Sequence, residues 1–383
     1  MSKKNQTTPR DEDNANWVRL YVSIELSLKK WKLGFSDGRQ ARARVVRIEA
    51  KDWERFGREV EKAKERFGLK PSVEVWSCYE AGREGFWVHR ALERLGIRNR
   101  IVESASIEVN RRQRRVKSDR VDAEKLVRGL VRWGRGERDP WSIVRVPSEE
   151  AEDGRQLHRE LEILKRERQQ HRVRIQSLLF TQGIDLKVGR RFLEQLDRLR
   201  NWKGEPIRSG LRDRLEREYH RLELLKAEIG ELRQLQRKQL ESETTAAIGK
   251  VRRLVQLRGI GVDSGWVTVM ECFGWRQFQN RREVGAALGL TPTPYDSGQD
   301  RREQGISKAG NKRMRRLAVQ MAWSWLRFQP DSRLSRWYRE RFASGGPRTR
   351  KVGIVALTRK LMIALWRYLE FGEVPEGARM KLA

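Results

Sequence analysis

Val18-Arg19-Leu20-Tyr21-Val22-Ser23-Ile24-Glu25-Leu26-Ser27 decides how the first part of this chain folds. Val18, Leu20, Val22, Ile24 and Leu26 alternate with Arg19, Tyr21, Ser23, Glu25 and Ser27. A period of two predicts a half-buried β-strand. Glu25 stands inside that strand, on the face opposite the aliphatics. Immediately downstream, Trp31, Leu33 and Phe35 alternate again, and Ser36-Asp37-Gly38 supplies a turn. Residues 42–50 read as a third strand, so the three form an antiparallel meander.

Further out, a helix is expected from Lys51 to Phe67, with Trp53, Phe56, Val60 and Ala63 on one face. Val73 to Cys78 reads as a fourth strand ending at Tyr79-Glu80-Ala81-Gly82. A short helix carrying Phe86, Val88, Ala91 and Leu95 follows, then a fifth strand at Ile101-Val102. Ser118 is a good N-cap for a helix from Asp119 to Arg132. Three antiparallel strands, then helix, strand, helix, strand, helix, is the element order of an α/β ribonuclease-H-like domain.

The middle of the chain changes period. Leu157, Leu161, Leu164, Arg168, His171, Ile175 and Leu178 repeat at 4-3 spacing, as do Leu211, Leu215, Glu218, Leu222, Leu225, Ile229 and Leu232. These are heptad seams with polar interruptions. Gly183, Gly189, Gly204, Pro206 and Gly210 separate them, which predicts a helical hairpin or coiled-coil arm serving as spacer or dimer seam. From Ile248 the chain reads as mainly helical. An apolar helix runs through Val267 and Met270, an irregular, glycine-rich basic loop spans 289–310, and helices follow around 314–328 and 352–369.

Composition narrows the partner. Lys and Arg number 84 against 52 acids, a formal charge of +32 over 383 residues. A field of that size attracts polyanions, and phosphate contacts release counterions. No apolar run approaches the roughly 20 residues that span a bilayer, so a membrane is not the expected partner. Cys78 and Cys272 form no CxxC pair, which argues against a disulfide framework or a zinc site. Residues 1–16 are polar, lack an apolar signal core and read as a disordered tail. A cytoplasmic location is expected.

Three constellations can carry chemistry. Glu25 and Glu80 end up side by side if the first and fourth strands are neighbours, and Asp119 and Asp122 share one face of a helix's first turn. Four carboxylates in one cleft need cations; Mg²⁺ is a natural hard-oxygen occupant. The plainer reading of the two aspartates is that they favour the helix N-terminus. The second constellation runs Tyr295-Asp296-Ser297-Gly298-Gln299-Asp300-Arg301-Arg302, then Gly305 to Arg313. A serine beside glycine and several cations suits attack on phosphate; a loop that grips the DNA backbone is the alternative. The third, Leu257-Arg258-Gly259-Ile260-Gly261, fits either a phosphate approach or a helix-packing turn. Candidate nucleic-acid contacts are Arg258, Gly259, Gly261, Arg301, Arg302, Lys308, Lys312 and Arg313.

These residues carry a resemblance. Cys78-Tyr79-Glu80-Ala81-Gly82, Arg90-Ala91-Leu92, Leu95-Gly96-Ile97 and Lys117-Ser118-Asp119-Arg120-Val121-Asp122-Ala123 resemble the N-terminal half of the IS one-ten family of insertion-sequence transposases. Gly259-Ile260-Gly261, Leu288-Gly289-Leu290-Thr291-Pro292, Ser297-Gly298, Ile306-Ser307-Lys308-Ala309-Gly310-Asn311 and Thr358-Arg359-Lys360-Leu361 resemble its C-terminal half. The match runs from about Val18 to Leu369. It implies a RuvC-like domain (17–147) with a DEDD metal site for Mg²⁺ or Mn²⁺, a coiled-coil arm (148–247) and a transposase domain (248–383) with a catalytic serine. It further implies recombination of donor and target DNA guided by a bridge RNA, in a homodimer or homotetramer.

Carried over by position, the acids are Glu25, Glu80, Asp119 and Asp122, and the nucleophile is Ser297, with Ser307 as fallback. Two departures stand out. Glu25 replaces the family's usual Asp, and Asp296-Ser297 replaces a frequent pair of serines. Two rival functions remain: a RuvC-like metal-dependent nuclease acting on branched DNA through activated water, and a non-catalytic nucleic-acid-binding protein.

Overall fold

The computed structural model describes residues 19–40, 43–107, 119–137, 141–297 and 300–381. The expected tail 1–16 and the Ser118 cap lie outside the described residues. The chain divides into two compact units, Met1–Val146 and Pro147–Ala383.

The first unit is a five-stranded mixed sheet with helices on both faces. Its elements are β1 (Leu20–Glu25), β2 (Lys30–Ser36), β3 (Arg44–Glu49), α1 (Trp53–Arg66), β4 (Val75–Glu80), α2 (Trp87–Arg94), β5 (Arg98–Val102) and α3 (Asp119–Gly134). The strand order is β3-β2-β1-β4-β5. The first three strands pair antiparallel, whereas β1–β4 and β4–β5 are parallel. Leu20, Val22 and Ile24 join Leu33, Phe35, Phe56, Val60 and Val88 in one core.

β1 is not half-buried as its alternation suggests. Its second face is closed by α3, with Tyr21, Cys78, Leu126, Val127 and Leu130 forming another core. Ser23 is fully buried there, and its hydroxyl donates to the Ala123 carbonyl at 2.7 Å. That bond satisfies a group whose burial would otherwise be costly. In α2 the buried apolar residues are Val88 and Leu92, while Leu95, at the helix end, is exposed.

The second unit opens with α4 (Glu149–Asp153), α5 (Gln156–Phe180), α6 (Phe192–Leu196) and α7 (Ser209–Ser242). α5 and α7 pack as an antiparallel hairpin. At its tip, Ile175 and Leu179 meet Leu215, Tyr219 and Leu222, and α6 closes the end with Phe192 and Leu196. A polar layer interrupts the seam at Glu218, whose carboxylate lies 2.6 Å from His171 Nδ1 and 2.9 Å from Arg174 Nη1.

The rest comprises α8 (Ala246–Gln256), α9 (Val262–Thr268), a π-helical turn (Val269–Phe273), α10 (Arg281–Ala287), β6 (Pro292–Ser297), β7 (Asp300–Ile306), α11 (Lys312–Phe328), α12 (Arg333–Tyr338) and α13 (Pro347–Phe371). Their shared core includes Val251, Leu254, Trp266, Met314, Trp325, Leu357 and Leu361. The expected irregular loop 289–310 is instead built around an antiparallel β6–β7 hairpin, with Tyr295 opposite Arg302 and Ser297 opposite Asp300. Two prolines hide it in the sequence. Proline removes a ladder donor and is tolerated at bulges, and the register shifts between Pro292 and Pro294. Among the described residues no helix is long and apolar enough to cross a membrane.

Candidate functional site

Glu25 and Glu80 are the last residues of β1 and β4. Ile24 pairs with Tyr79 in parallel register, so the two glutamates take neighbouring positions at the carboxyl ends of adjacent strands. By strand alternation they share the face of Ser23 and Cys78, which α3 covers. α3 runs opposite to β1: Ala123 sits over Ser23, and the Gly134 carbonyl approaches Arg19. Its first turn, with Asp119 and Asp122, therefore lies toward the end of the sheet that carries Glu25 and Glu80. The side chains of Asp119 and Asp122 lie outside the described residues. Glu25 faces Lys32 across the β1–β2 pair at 3.6 Å. Among the described residues no group of three or more His, Cys, Asp or Glu stands close enough to hold a metal.

Ser297 ends β6; its side chain and those of Arg301 and Arg302 lie outside the described residues, as does Gly298. Ser307 is at the opposite end of the hairpin, with its N–H on the Thr291 carbonyl. Ser297 lies six residue steps along the strand from Thr291, about 20 Å at the usual strand rise. The two serines thus occupy distinct places.

The hairpin is held at its base by a clasp of backbone on backbone. Lys308 N–H donates to the Gly289 carbonyl at 3.1 Å, and Asn311 N–H donates to the Ala287 carbonyl at 3.0 Å. Gly289 has φ +64°, and a Cβ there would lie 1.8 Å from the Ala309 oxygen. Gly310 has φ +84°, and a Cβ there would lie 2.4 Å from the Ala287 oxygen. The two glycine motifs separated by the hairpin are therefore two halves of one junction, and side chains would force it apart. Arg315 locks it by donating to the Leu288 and Ala309 carbonyls.

The other basic candidates differ in their surroundings. Arg258, Lys308 and Lys312 are exposed. Arg313 is held by Glu162 at 2.7 Å and Glu271 at 3.0 Å. Gly259, at φ +86°, packs against Phe328, and its carbonyl accepts from Ser324 Oγ at 2.7 Å. Gly261 N–H donates to Ser264 Oγ. Gly259 thus sits in a packing turn, whereas Gly261 is exposed with open space beside its Cα.

Sequence reasoning missed Glu271. It lies in the π-helical turn with its side chain 1% exposed. His158 Nε2 and Arg159 Nε each lie 2.9 Å from Oε1, and Arg159 Nη2 and Asn311 Nδ2 each lie 3.1 Å from Oε2. Arg313 Nη1 adds a bond to Oε1. Burial pushes this carboxyl up, but the bonds from His158, Arg159 and Arg313 outweigh it and hold it well below the usual range. As an ionised acceptor it requires the His158 proton on Nε2. The signal in the sequence was a lone carboxylate inside the apolar run Trp266 to Phe273.

Comparison with known proteins gives a consistent picture. Residues 251–336 match the family model described as transposase IS116/IS110/IS902 family. The chain is 39% identical over 383 residues to the putative transposase y4rJ of Sinorhizobium fredii, covering 94% of each. It is 27% identical over 224 residues to the transposase for insertion sequence element IS1328 of Yersinia enterocolitica, covering 58% of this chain and 63% of that one. A probable family 20 transposase of Pseudomonas aeruginosa is 31% identical over 155 residues, covering 38% of this chain and 45% of the relative.

Proposed function

The chain belongs to the IS116/IS110/IS902 transposase family, and from that premise we propose that it excises and integrates an insertion sequence through a phosphoserine intermediate at Ser297. The observation that carries the transposase reading is the near-full-length relationship to a transposase. Support for the serine comes from its position, at the tip end of a hairpin whose base is clamped by Gly289 and Gly310. A rigid base suits a nucleophile that must be held in place against a DNA strand.

Ser297 Oγ loses its proton and attacks the scissile phosphorus. The P–O bond to the neighbouring sugar breaks, and that sugar oxygen takes up a proton as it leaves. The serine–phosphate ester keeps the strand for rejoining: a sugar hydroxyl of the recipient end attacks the same phosphorus and releases the serine. Arg301 and Arg302, in the strand paired with that of Ser297, are the candidates to offset charge on the non-bridging oxygens.

The first unit is read as ribonuclease-H-like, which its β3-β2-β1-β4-β5 order supports. Glu25, Glu80, Asp119 and Asp122 are hard oxygen donors, and the neighbouring strand-end positions of the two glutamates fit a divalent-cation site. Lys32 competes for Glu25 there. When bound, Mg²⁺ or Mn²⁺ supplies positive charge against phosphate oxygens. Glu25, Glu80, Asp119 and Asp122 would hold it, and the cations of the chain orient the DNA. The net charge of +32 supports nucleic acid as the partner; that it comprises donor and target DNA and a bridge RNA is what the family resemblance implies. A homodimer or homotetramer brings two copies to the paired ends.

Incubating the protein with end-labelled donor DNA in Mg²⁺ and resolving the products on a denaturing gel tests this. A protein–DNA covalent band is expected. Free cut ends alone would move the protein to the metal-dependent nuclease reading, and intact DNA to a binding role.

A further inference from the structure

We propose that Glu271 is a positioning residue that couples the helical arm to the serine hairpin. This rests on the reading that the hairpin carries the nucleophile. The carboxylate gathers donors from two separate parts of the second unit. His158 and Arg159 come from α5, the first long helix of the arm. Asn311 and Arg313 come from the segment that leaves the hairpin's clasp and starts α11.

Asn311 is the narrowest point of the connection. Its side-chain amide donates to Glu271 Oε2, its side-chain oxygen caps α11 by accepting from Met314 N–H at 3.1 Å, and its own N–H donates to Ala287 at 3.0 Å. One residue thereby ties the clasp, the helix start and the buried carboxylate together. Arg313 repeats the link from the other side by bridging Glu271 to Glu162 of α5, and Arg316 also binds Glu162. A change in the seat of α5 must move Glu271 or break its bonds. A shift of Glu271 pulls on Asn311 and so on the Gly289–Gly310 junction.

A purely stabilising role would be a poor reason for this arrangement. A buried charge cluster is often no more stable than well-packed apolar residues. Its distinctive contribution is geometric, because fixed carboxylate oxygens dictate where both arginines and Asn311 lie. The π-helical turn offsets Glu271 from the regular helix, a feature common at functional sites.

Glu271→Gln replaces one carboxylate oxygen by an NH₂ that faces donors: at the Oε2 place Arg159 and Asn311 lose their acceptor, at the Oε1 place His158, Arg159 and Arg313 do, and either way the fixed cluster that seats Asn311 is broken. The test is hydrogen exchange on the full chain without nucleic acid, paired with the rate of covalent adduct formation on nicked donor DNA. Exchange at the Lys308 and Asn311 amides is expected to rise about tenfold, the scale of one lost hydrogen bond, while α13 amides keep their protection. Adduct formation is expected to slow about tenfold or more with DNA affinity unchanged. Unchanged clasp protection, or protection lost evenly across the unit, overturns the coupling. Glu162→Gln, which loosens the same link from a more exposed position, gives the same readouts if Glu271→Gln does not fold; no change at the clasp in that variant overturns it equally. A looser clasp in a protein that never forms an adduct leaves the coupling standing and removes the serine reading instead.

Discussion

Glu25 ends a strand that is otherwise buried on both faces, and it sits beside Lys32. If it holds a cation, its carboxylate matters more than its length. Glu25→Asp should retain cleavage with a shifted preference between Mg²⁺ and Mn²⁺. Glu25→Ala should lose about 100-fold or more, since a metal contributes several kcal/mol to phosphoryl chemistry. A cleavage time course in each metal measures both, and equal activity of the alanine variant would exclude Glu25 from the site. Gly289→Ala tests the clasp. A side chain at its positive φ costs about 1–3 kcal/mol, and the collision with Ala309 adds to that. A lower urea midpoint is expected; an unchanged one would show that the junction is looser than described. The glutamates at 25 and 80 were legible because strand alternation and strand ends are local. Glu271 was not, because its partners His158 and Asn311 lie 113 and 40 residues away in sequence.

At the scale of elements, period decided what could be read. The strands of the meander, β4 and the two arm helices follow from periods of two and 3.5, and the place of β4 beside β1 from the element order. What alternation could not reveal was that α3 covers the second face of β1, since Ser23 and Tyr21 look like solvent residues until Ala123 and Gly134 are placed against them. The β6–β7 hairpin was masked by Pro292 and Pro294. The arm also makes a pH prediction. Burial raises the Glu218 carboxyl, but hydrogen bonds from His171 and Arg174 outweigh this and lower it overall. A lowered folded value means the stabilisation is complete above the unfolded pKa, about 4.3, and is lost as pH falls through the folded value. Thermal melts between neutral pH and pH ~3 should show wild type losing more stability than Glu218→Gln, so that the curves converge in acid. Parallel curves would mean the Glu218 layer contributes nothing that depends on its charge.

For the whole molecule, the charge of +32 sets the expected behaviour toward polyanions. Affinity for duplex DNA should fall with salt, with a slope near 0.9 in log K per phosphate neutralised. A slope near zero in a filter-binding titration would mean the cations are spent on internal pairs such as those around Glu271. Family membership fixes the transposase class, and the strand order and clasp give it a physical frame, but the nucleophile is the central claim. It is tested most directly with a nicked suicide substrate, on which the covalent product accumulates. Digestion and mass mapping of the linked peptide should place the phosphate on Ser297, and Ser297→Ala, with glycines and cations intact, should bind DNA but neither cut nor link. A link at Ser307 would move the chemistry to the base of the hairpin, and wild-type cleavage by Ser297→Ala without any protein link would contradict the account.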